Sequence, residues 1–186
     1  NKMSILDLIK TRRSIFPEQF NSKEIDDGTI DILLESANWA PTHKKTEPWR
    51  FKIIRGDSKI RLGEFLARKY KENTAKFSEY KFKKLLKKPM LSSVVLLICM
   101  QRDHNESIPE WEEIAAVSMA IQNLWLTATD LNIGGYWSSP SFINKMNEFT
   151  KFNSGERCLG IFYLGYYDKK INERVPGSIK NKVSII

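Results

Sequence analysis

The sequence has 186 residues, of which 41% are hydrophobic and 28% are charged, with a formal charge of +8. This composition suits one globular domain over 1–186 with a proper hydrophobic core. No apolar run approaches the roughly 20 residues that cross a bilayer, so no membrane span is expected. Cys99 and Cys158 lie inside apolar runs without metal-ligand spacing, which favours core thiols in a reducing cytoplasm.

Much of the positive charge lies in one stretch, from Arg68 to Lys88. Its cations have the spacing of a solvated helical face, and apolar residues occupy the other face. The cations are Arg68, Lys69, Lys71, Lys76, Lys81, Lys83, Lys84, Lys87 and Lys88. No zinc finger, RNP-type aromatic motif or helix-turn-helix spacing accompanies them, which disfavours a nucleic-acid partner. An anionic cofactor or substrate explains a moderate positive charge as well.

The first part of the chain reads as alternating helices and one strand. Ser4 is a predicted N-cap for a helix that runs to about Arg12, and residues 22–27 offer a second capping region. A helix then occupies residues 30–40, and residues 49–55 form a strand. Residues 58–88 are predicted to form one broken helix or two.

The second part contains the two most apolar segments. Residues 93–100 form a continuous apolar run, typical of a buried central strand, and residues 157–167 predict a second one. The helix that starts at Pro109 is apolar nearly all round, so it is expected at the centre or in a subunit interface. Residues 132–135 are predicted to cap its end, and Ser141 to cap a short helix ending near Phe149.

These elements favour an α+β fold, with helices packed on a mostly antiparallel or mixed sheet, because helices outnumber strands and strict βαβ alternation is missing. The tail beyond residue 167 is basic but ends in the apolar residues 183–186. We expect such an end to form an edge strand on a partner subunit.

Three short motifs are candidates for a binding site. Arg12-Arg13-Ser14 offers two guanidiniums that either clamp a phosphate or complement the helix dipole. Residues 40–51 form a polar loop with His43, bracketed by prolines. Residues 134–140, Gly-Gly-Tyr-Trp-Ser-Ser-Pro, permit close backbone approach to a flat ligand or simply form a turn. No GxGxxG or Walker motif supports a Rossmann-type site.

The order of these motifs resembles the nitroreductase family of FMN flavoproteins, in its short, compact branch. Arg-Arg-Ser is followed by Ala40-Pro41-x-His43 and Pro48-Trp49, then by an apolar helix, a Gly-Gly-Tyr-Trp segment and a Leu-Gly-rich strand. The resemblance covers roughly residues 5–167. It implies a homodimer with FMN in two clefts at the subunit interface. It also implies ping-pong hydride transfer from NADH or NADPH, through flavin N5, to a nitroaromatic, quinone or enone.

The same resemblance implies which residues contact FMN. Arg12, Arg13 and Ser14 would hold the phosphate and ribityl chain, with Arg174 reaching the phosphate from beyond the last strand. His43 would contribute from the same cleft. Trp39 and Lys45 stand where relatives often contact flavin. Trp137, Ser138 and Ser139 would pass along the isoalloxazine ring. No side chain is expected to act as nucleophile or general base, and no metal is implied.

Two positions depart from the family pattern. Glu47 stands where Gln commonly precedes Pro-Trp, and Ser138 stands where the short branch often has Arg. The first alters the loop's amide hydrogen bonds, and the second removes a possible contact to flavin or nicotinamide phosphate. Two alternatives stay open: a flavin-binding relative with a specialised reaction, and a basic interaction module without cofactor.

Overall fold

The computed structural model describes residues 3–186, so Asn1 and Lys2 of the predicted domain lie outside the described residues. Its α-helices are α1 (Ile5–Thr11), α2 (Asp27–Asn38), α3 (Asp57–Asn73), α4 (Glu79–Lys87) and α5 (Glu110–Asp130). Its strands are β1 (Trp49–Ile54), β2 (Val94–Gln101), β3 (Ile133–Ser138) and β4 (Glu156–Tyr166). Short 3₁₀ turns lie at Pro17–Gln19, His43–Lys45, Ile143–Glu148 and Ile179–Lys182.

The four strands form one sheet in the order β1-β2-β4-β3, and every pairing is antiparallel. The two most apolar strands, β2 and β4, occupy the centre, where both of their faces are covered. The prediction of an α+β fold with a mostly antiparallel sheet is therefore confirmed, as are both buried strands.

Helices cover both faces of the sheet. On the α5 face, Leu33 of α2 and Leu124 of α5 pack with Leu96 and Phe162 of the central strands. On the α3 face, Leu62 and Leu66 pack with Leu97 and Tyr163. Alternating side chains of β2 thus supply both cores. Helix α5 packs on the sheet on one side, but Trp111 and Met119 on its other side are exposed, so its place in a subunit interface stays a prediction.

The helix starts follow the capping residues of the sequence. Ser4 Oγ accepts a hydrogen bond from Asp7 N at 3.1 Å, and Asp26 Oδ1 accepts one from Thr29 N at 2.8 Å. Both contacts satisfy a free N–H of the first helical turn. The stretch 58–88 is two helices, with Ser78 capping α4.

The predicted helix cap at residues 132–135 is wrong over most of its length. Leu131 already caps α5, Asn132 takes the left-handed conformation at φ 56°, and Ile133 begins β3. The paired glycines are strand residues placed for close packing: a Cβ on Gly135 would lie 2.8 Å from the Phe162 ring. Glycine is typical both of a helix C-terminal cap and of a strand that packs closely against a side chain, so the local sequence does not distinguish the two.

Two other predicted elements differ. The segment after Pro140 is a 3₁₀ helix whose N-cap is Phe142, with no side-chain cap from Ser141. The tail forms no strand within this chain; Val183 and Ile185 are exposed, and the short turn Ile179–Lys182 precedes them. A lone extended segment needs a neighbouring strand to pair with, so strand formation by the tail on a partner stays a prediction.

The predicted solvated face of α3 and α4 is wrong for two of its lysines. Lys69 and Lys88 are each only 7% exposed. Lys69 lies between the carboxylates of Glu72 and Glu148, whereas the Lys88 ammonium lies 4.5 Å from the centre of the Tyr136 ring. Carboxylates and aromatic faces both compensate a cation taken out of water.

Candidate functional site

The segment that follows α1 lies along the free edge of β3. Ser14 forms a parallel bridge with Gly135, and Ile15 N donates to Gly135 O at 3.0 Å. Phe16 packs on Tyr136 with 4.6 Å between ring centres. This pairing fixes the backbone of the Arg-Arg-Ser motif beside β3, and leaves the Ser14 side chain exposed.

Arg12 lies on an aromatic platform formed by α5 and β4. Its guanidinium carbon is 4.5 Å from the centre of the Trp125 ring, and Trp125 meets Phe162 edge-on at 5.0 Å. The Trp125 Nε1 atom is buried and has no hydrogen-bond partner within residues 3–186. A buried donor without a partner is uncommon in folded proteins and often marks a site that a ligand or water completes.

Arg13 and Arg174 bring the C-terminal tail to the end of α1. Arg13 Nε donates to Asn172 O at 3.2 Å. Arg13 and Arg174 both line a cavity of about 760 Å³ between α1 and the tail. The remaining lining residues include three lysines and two acids: Lys10, Lys169, Lys170, Asp7 and Glu173.

The three arginines form a cationic cluster, hereafter the Arg12 cluster: Arg12, Arg13 and Arg174. Burial lowers the pKa of Arg12, and the nearby positive charges of Arg174 and Arg13 lower it further. None of the ion pairs found within residues 3–186 includes any of these three arginines. Three guanidiniums without a carboxylate partner among the described residues therefore offer a site for a multiply charged anion such as a phosphate monoester.

Trp137 extends the aromatic surface along β3. It pairs with Phe162 across the sheet, and a Cβ on Gly160 would lie 2.1 Å from its indole nitrogen. Only glycine at position 160 lets the indole lie against β4 at this distance. Trp137 Nε1 donates to Ser139 Oγ at 2.9 Å, and Ser138 completes the strand. The predicted residues of β3 thus lie on the strand that carries the Arg12 cluster at its edge.

His43 lies elsewhere, at the beginning of α5. Its Nδ1 atom pairs with the carboxylate of Glu112, and both residues line a cavity of about 270 Å³ with Pro41, Trp111 and Met119. Lys45 is exposed on the same loop, with φ 53°. Glu47 also has a positive φ, and its N–H donates to Thr42 Oγ1 at 3.1 Å.

The predicted contacts therefore form two groups at opposite ends of α5. Glu112, which holds His43, and Trp125, which holds Arg12, are 13 positions apart on that helix, or about 20 Å along its axis. Trp39, 78% exposed, lies near the Arg12 end of α5, in a groove with Leu8 of α1 and Leu126. That all of them share one cleft at a subunit interface stays a prediction.

Sequence reasoning missed Trp125 and Asn172. Trp125 belongs to the apolar stripe of α5, where an aromatic residue predicts a core position, and no local pattern marks it as the platform for Arg12. Asn172 contributes a backbone carbonyl, which any residue would supply. Both residues belong to the site only because the folded chain brings them next to α1.

Comparison with known proteins identifies the family of this chain. The profile described as "Nitroreductase family" matches residues 9–166. "Putative NAD(P)H nitroreductase YfhC" of Bacillus subtilis strain 168 is 32% identical over 177 residues, covering 91% of this chain and 89% of that protein.

Solved structures show the same fold. A nitroreductase-like family protein from Bacillus cereus superposes with a TM-score of 0.83 and 28% identity, over 100% of this chain and 97% of that one. A structure from Desulfovibrio desulfuricans, titled as a putative nitroreductase in complex with FMN, gives a TM-score of 0.70 and 22% identity, over 95% and 94% of the two chains. With a profile match over most of its length and a relative above 30% identity, the chain belongs to the nitroreductase family.

Proposed function

We propose that this protein is an FMN-dependent NAD(P)H oxidoreductase that reduces nitroaromatics, quinones or enones. The observation that carries the proposal is the Arg12 cluster: three guanidiniums without carboxylate partners, beside a tryptophan whose N–H is unsatisfied. A phosphate monoester next to a flat ring system matches both features. The name of the Bacillus subtilis relative and the FMN in the Desulfovibrio desulfuricans structure support the same assignment.

Different residues of this chain would bind different parts of FMN. Arg12, Arg13 and Arg174 hold the phosphate, because guanidinium forks match its oxygens. Ser14, with its exposed hydroxyl beside Gly135, reaches the ribityl chain. Trp137, Ser138 and Ser139 line the ring edge. Bound FMN supplies the hydride-transfer chemistry, and the protein positions it.

The loop residues His43 and Lys45 complete the site from another copy of the chain, and the exposed Trp39 contributes from the same copy. Glu112 and Trp125, which hold His43 and Arg12, are about 20 Å apart along α5, too far for both to meet the same part of one ligand within one chain. Exposed apolar side chains, among them Trp39 and Met119, provide a surface for that copy. In this homodimer, the tail at 168–186 packs on the partner.

The first experiment is an absorbance spectrum of the purified protein, followed by steady-state assays with NADH and NADPH. We expect flavin absorbance and turnover with a nitroaromatic or quinone. A colourless protein that takes up no added FMN contradicts the proposal. Flavin binding without turnover on any of the acceptors indicates the alternative of a specialised flavoprotein.

The composite site is tested by mixing two variants that are expected to bind FMN weakly, Arg12→Met and His43→Ala, at an FMN concentration that occupies only wild-type sites. In a dimer that combines them, one site carries both changes and the other has wild-type residues throughout. Refolding equal amounts together should restore FMN binding at about a quarter of the sites. If the two residues act within one chain, mixing restores nothing.

A further inference from the structure

The two cysteines face each other across the centre of the sheet. Cys99 of β2 and Cys158 of β4 are paired positions of the antiparallel ladder, next to a bulge after Ile98. Residues directly opposite in such a ladder have Cα atoms about 4.5–5.5 Å apart, within the span that a disulfide requires. Both side chains belong to the core on the α3 face, and both are free thiols.

A polar cavity borders one of the two cysteines. Cys158 lines a cavity of about 450 Å³ between β4 and the 3₁₀ helix Ile143–Glu148. Its other walls are mostly polar: Asn144, Asn147, Lys151, Phe152, Asn153, Glu156 and Arg157. Cys99 has no exposed surface, so reagents from solvent meet Cys158 first.

The surroundings of Cys158 favour its thiolate over that of Cys99. Cys158 Sγ donates a hydrogen bond to Gly160 O at 3.3 Å. The neighbouring Cys99 thiol lowers the pKa of Cys158, and the same proximity raises the pKa of Cys99. The ammonium of Lys52 acts in the same direction on Cys158, while burial and the carboxylate of Glu156, which pairs with Lys52 at 2.8 Å, oppose it. The thiolate is the reactive form of cysteine.

We propose that Cys158 is a hydroperoxide-reactive thiol and that Cys99 resolves its oxidised form into a cross-strand disulfide. A small hydroperoxide enters through the polar cavity. The site lies on the α3 face, whereas the Arg12 cluster and Trp125 belong to the α5 face. The proposal is therefore independent of the assigned flavin site.

The chemistry balances in two steps. The Cys158 sulfur attacks one oxygen of the hydroperoxide, an S–O bond forms and the O–O bond breaks, and the leaving oxygen takes a proton as water or alcohol. The Cys99 sulfur then attacks the sulfenic sulfur. The S–S bond forms, the S–O bond breaks, and the hydroxide leaves as water with the proton of the Cys99 thiol. Each thiol is oxidised by one electron, and the peroxide is reduced by two.

The test uses the full-length protein, treated with hydrogen peroxide below its melting temperature and then alkylated under denaturing conditions. We expect both cysteines to lose alkylation together, peptides containing positions 99 and 158 to be linked within one chain, and dithiothreitol to reverse the link. The intact mass falls by about 2 Da apart from methionine oxidation. The rate should be proportional to the peroxide concentration.

Two variants assign the roles. Cys99→Ser should stop at a sulfenic acid at position 158 that dimedone traps, whereas Cys158→Ser should slow oxidation of Cys99 at least about tenfold. Circular dichroism checks that each variant is folded. If a variant does not fold, the peptide map of the oxidised wild-type protein is sufficient to test whether the link forms. Persistent alkylation of both cysteines, a link between two chains, or a rate independent of peroxide concentration overturns the proposal. The last result would mean that oxidation waits for unfolding.

Discussion

Two basic regions of this protein differ in whether their cations form ion pairs with carboxylates. On α3 and α4 several cations have acidic partners: Lys69 pairs with Glu72 at 2.8 Å and with Glu148, and Lys84 pairs with Glu18 at 3.2 Å. The Arg12 cluster has no such ion pair within residues 3–186. Its arginines instead contact an aromatic ring and backbone carbonyls.

We infer that the paired cations stabilise the fold, whereas the arginines without carboxylate partners are available to bind an anionic ligand. A cation already paired with a carboxylate has little to gain from an added anion. A cluster of cations that repel one another gains the full interaction when a phosphate arrives. The number of basic residues, which is larger on α3 and α4, does not reveal this distinction.

The largest expected effect comes from removing Arg12, the half-buried arginine that lies on Trp125. Arg12→Met should weaken FMN binding about 10- to 100-fold, because a charge-assisted hydrogen bond contributes about 1.5–3 kcal/mol. Fluorescence titration with FMN measures the change. Riboflavin, which has no phosphate, should bind the variant and the wild type alike.

Arg68→Met is the matched control, since Arg68 is a largely exposed arginine of α3 that lies 3.8 Å from Glu72. It should bind FMN as the wild type does. Equal losses in the two variants would mean that only the overall charge matters and would remove the contrast between the regions.

A smaller effect is expected from the platform beneath Arg12. Trp125→Leu removes the ring that lies 4.5 Å from the guanidinium and should weaken FMN binding about 3- to 10-fold, the size of one cation–π contact. Ile60→Leu, at an exposed apolar position of α3, serves as the conservative control. An unchanged dissociation constant for Trp125→Leu would show that the platform does not orient Arg12 for binding.

The smallest effect concerns stability and leaves FMN binding intact. Lys69→Met should lower the melting temperature by about 2–4 °C at neutral pH, because two carboxylates lose their partner. The Glu148 and Glu72 carboxylates raise the pKa of Lys69, so its contribution is present below pH 10.5 and is lost as the pH rises beyond it.

Acid should abolish the same difference in melting temperature. Lys69 lowers the pKa of Glu72, so the stability that this carboxylate gains is present above pH 4.5 and is lost as the pH falls through its folded value. Melting curves of wild type and variant at several pH values follow both limits. A difference that stays constant down to strong acid would assign it to packing instead.

Much of the fold could be predicted from the sequence, because its signals are local. Ser4 and Asp26 cap helices wherever they stand, and the runs that became β2 and β4 are too apolar to lie anywhere but the centre. Gly134-Gly135 was misassigned, since a helix end and a tightly packed strand use the same residue. The burial of Lys88 between Tyr136 and Tyr163 could not be predicted, because the spacing of basic residues in its helix is the same as on a solvent-exposed face.

For the candidate site, the sequence by itself determined the family, through the order of Arg-Arg-Ser, the Pro-bracketed loop and the aromatic strand. Only the tertiary structure decided how these motifs are distributed. It placed Arg12 on Trp125, brought Arg174 of the tail to α1, and put His43 about 20 Å away along α5. The physical reason is that a short motif consists of consecutive residues and can be recognised from them alone. Whether a charge finds a carboxylate, a ring or no partner depends on segments that are distant in the chain.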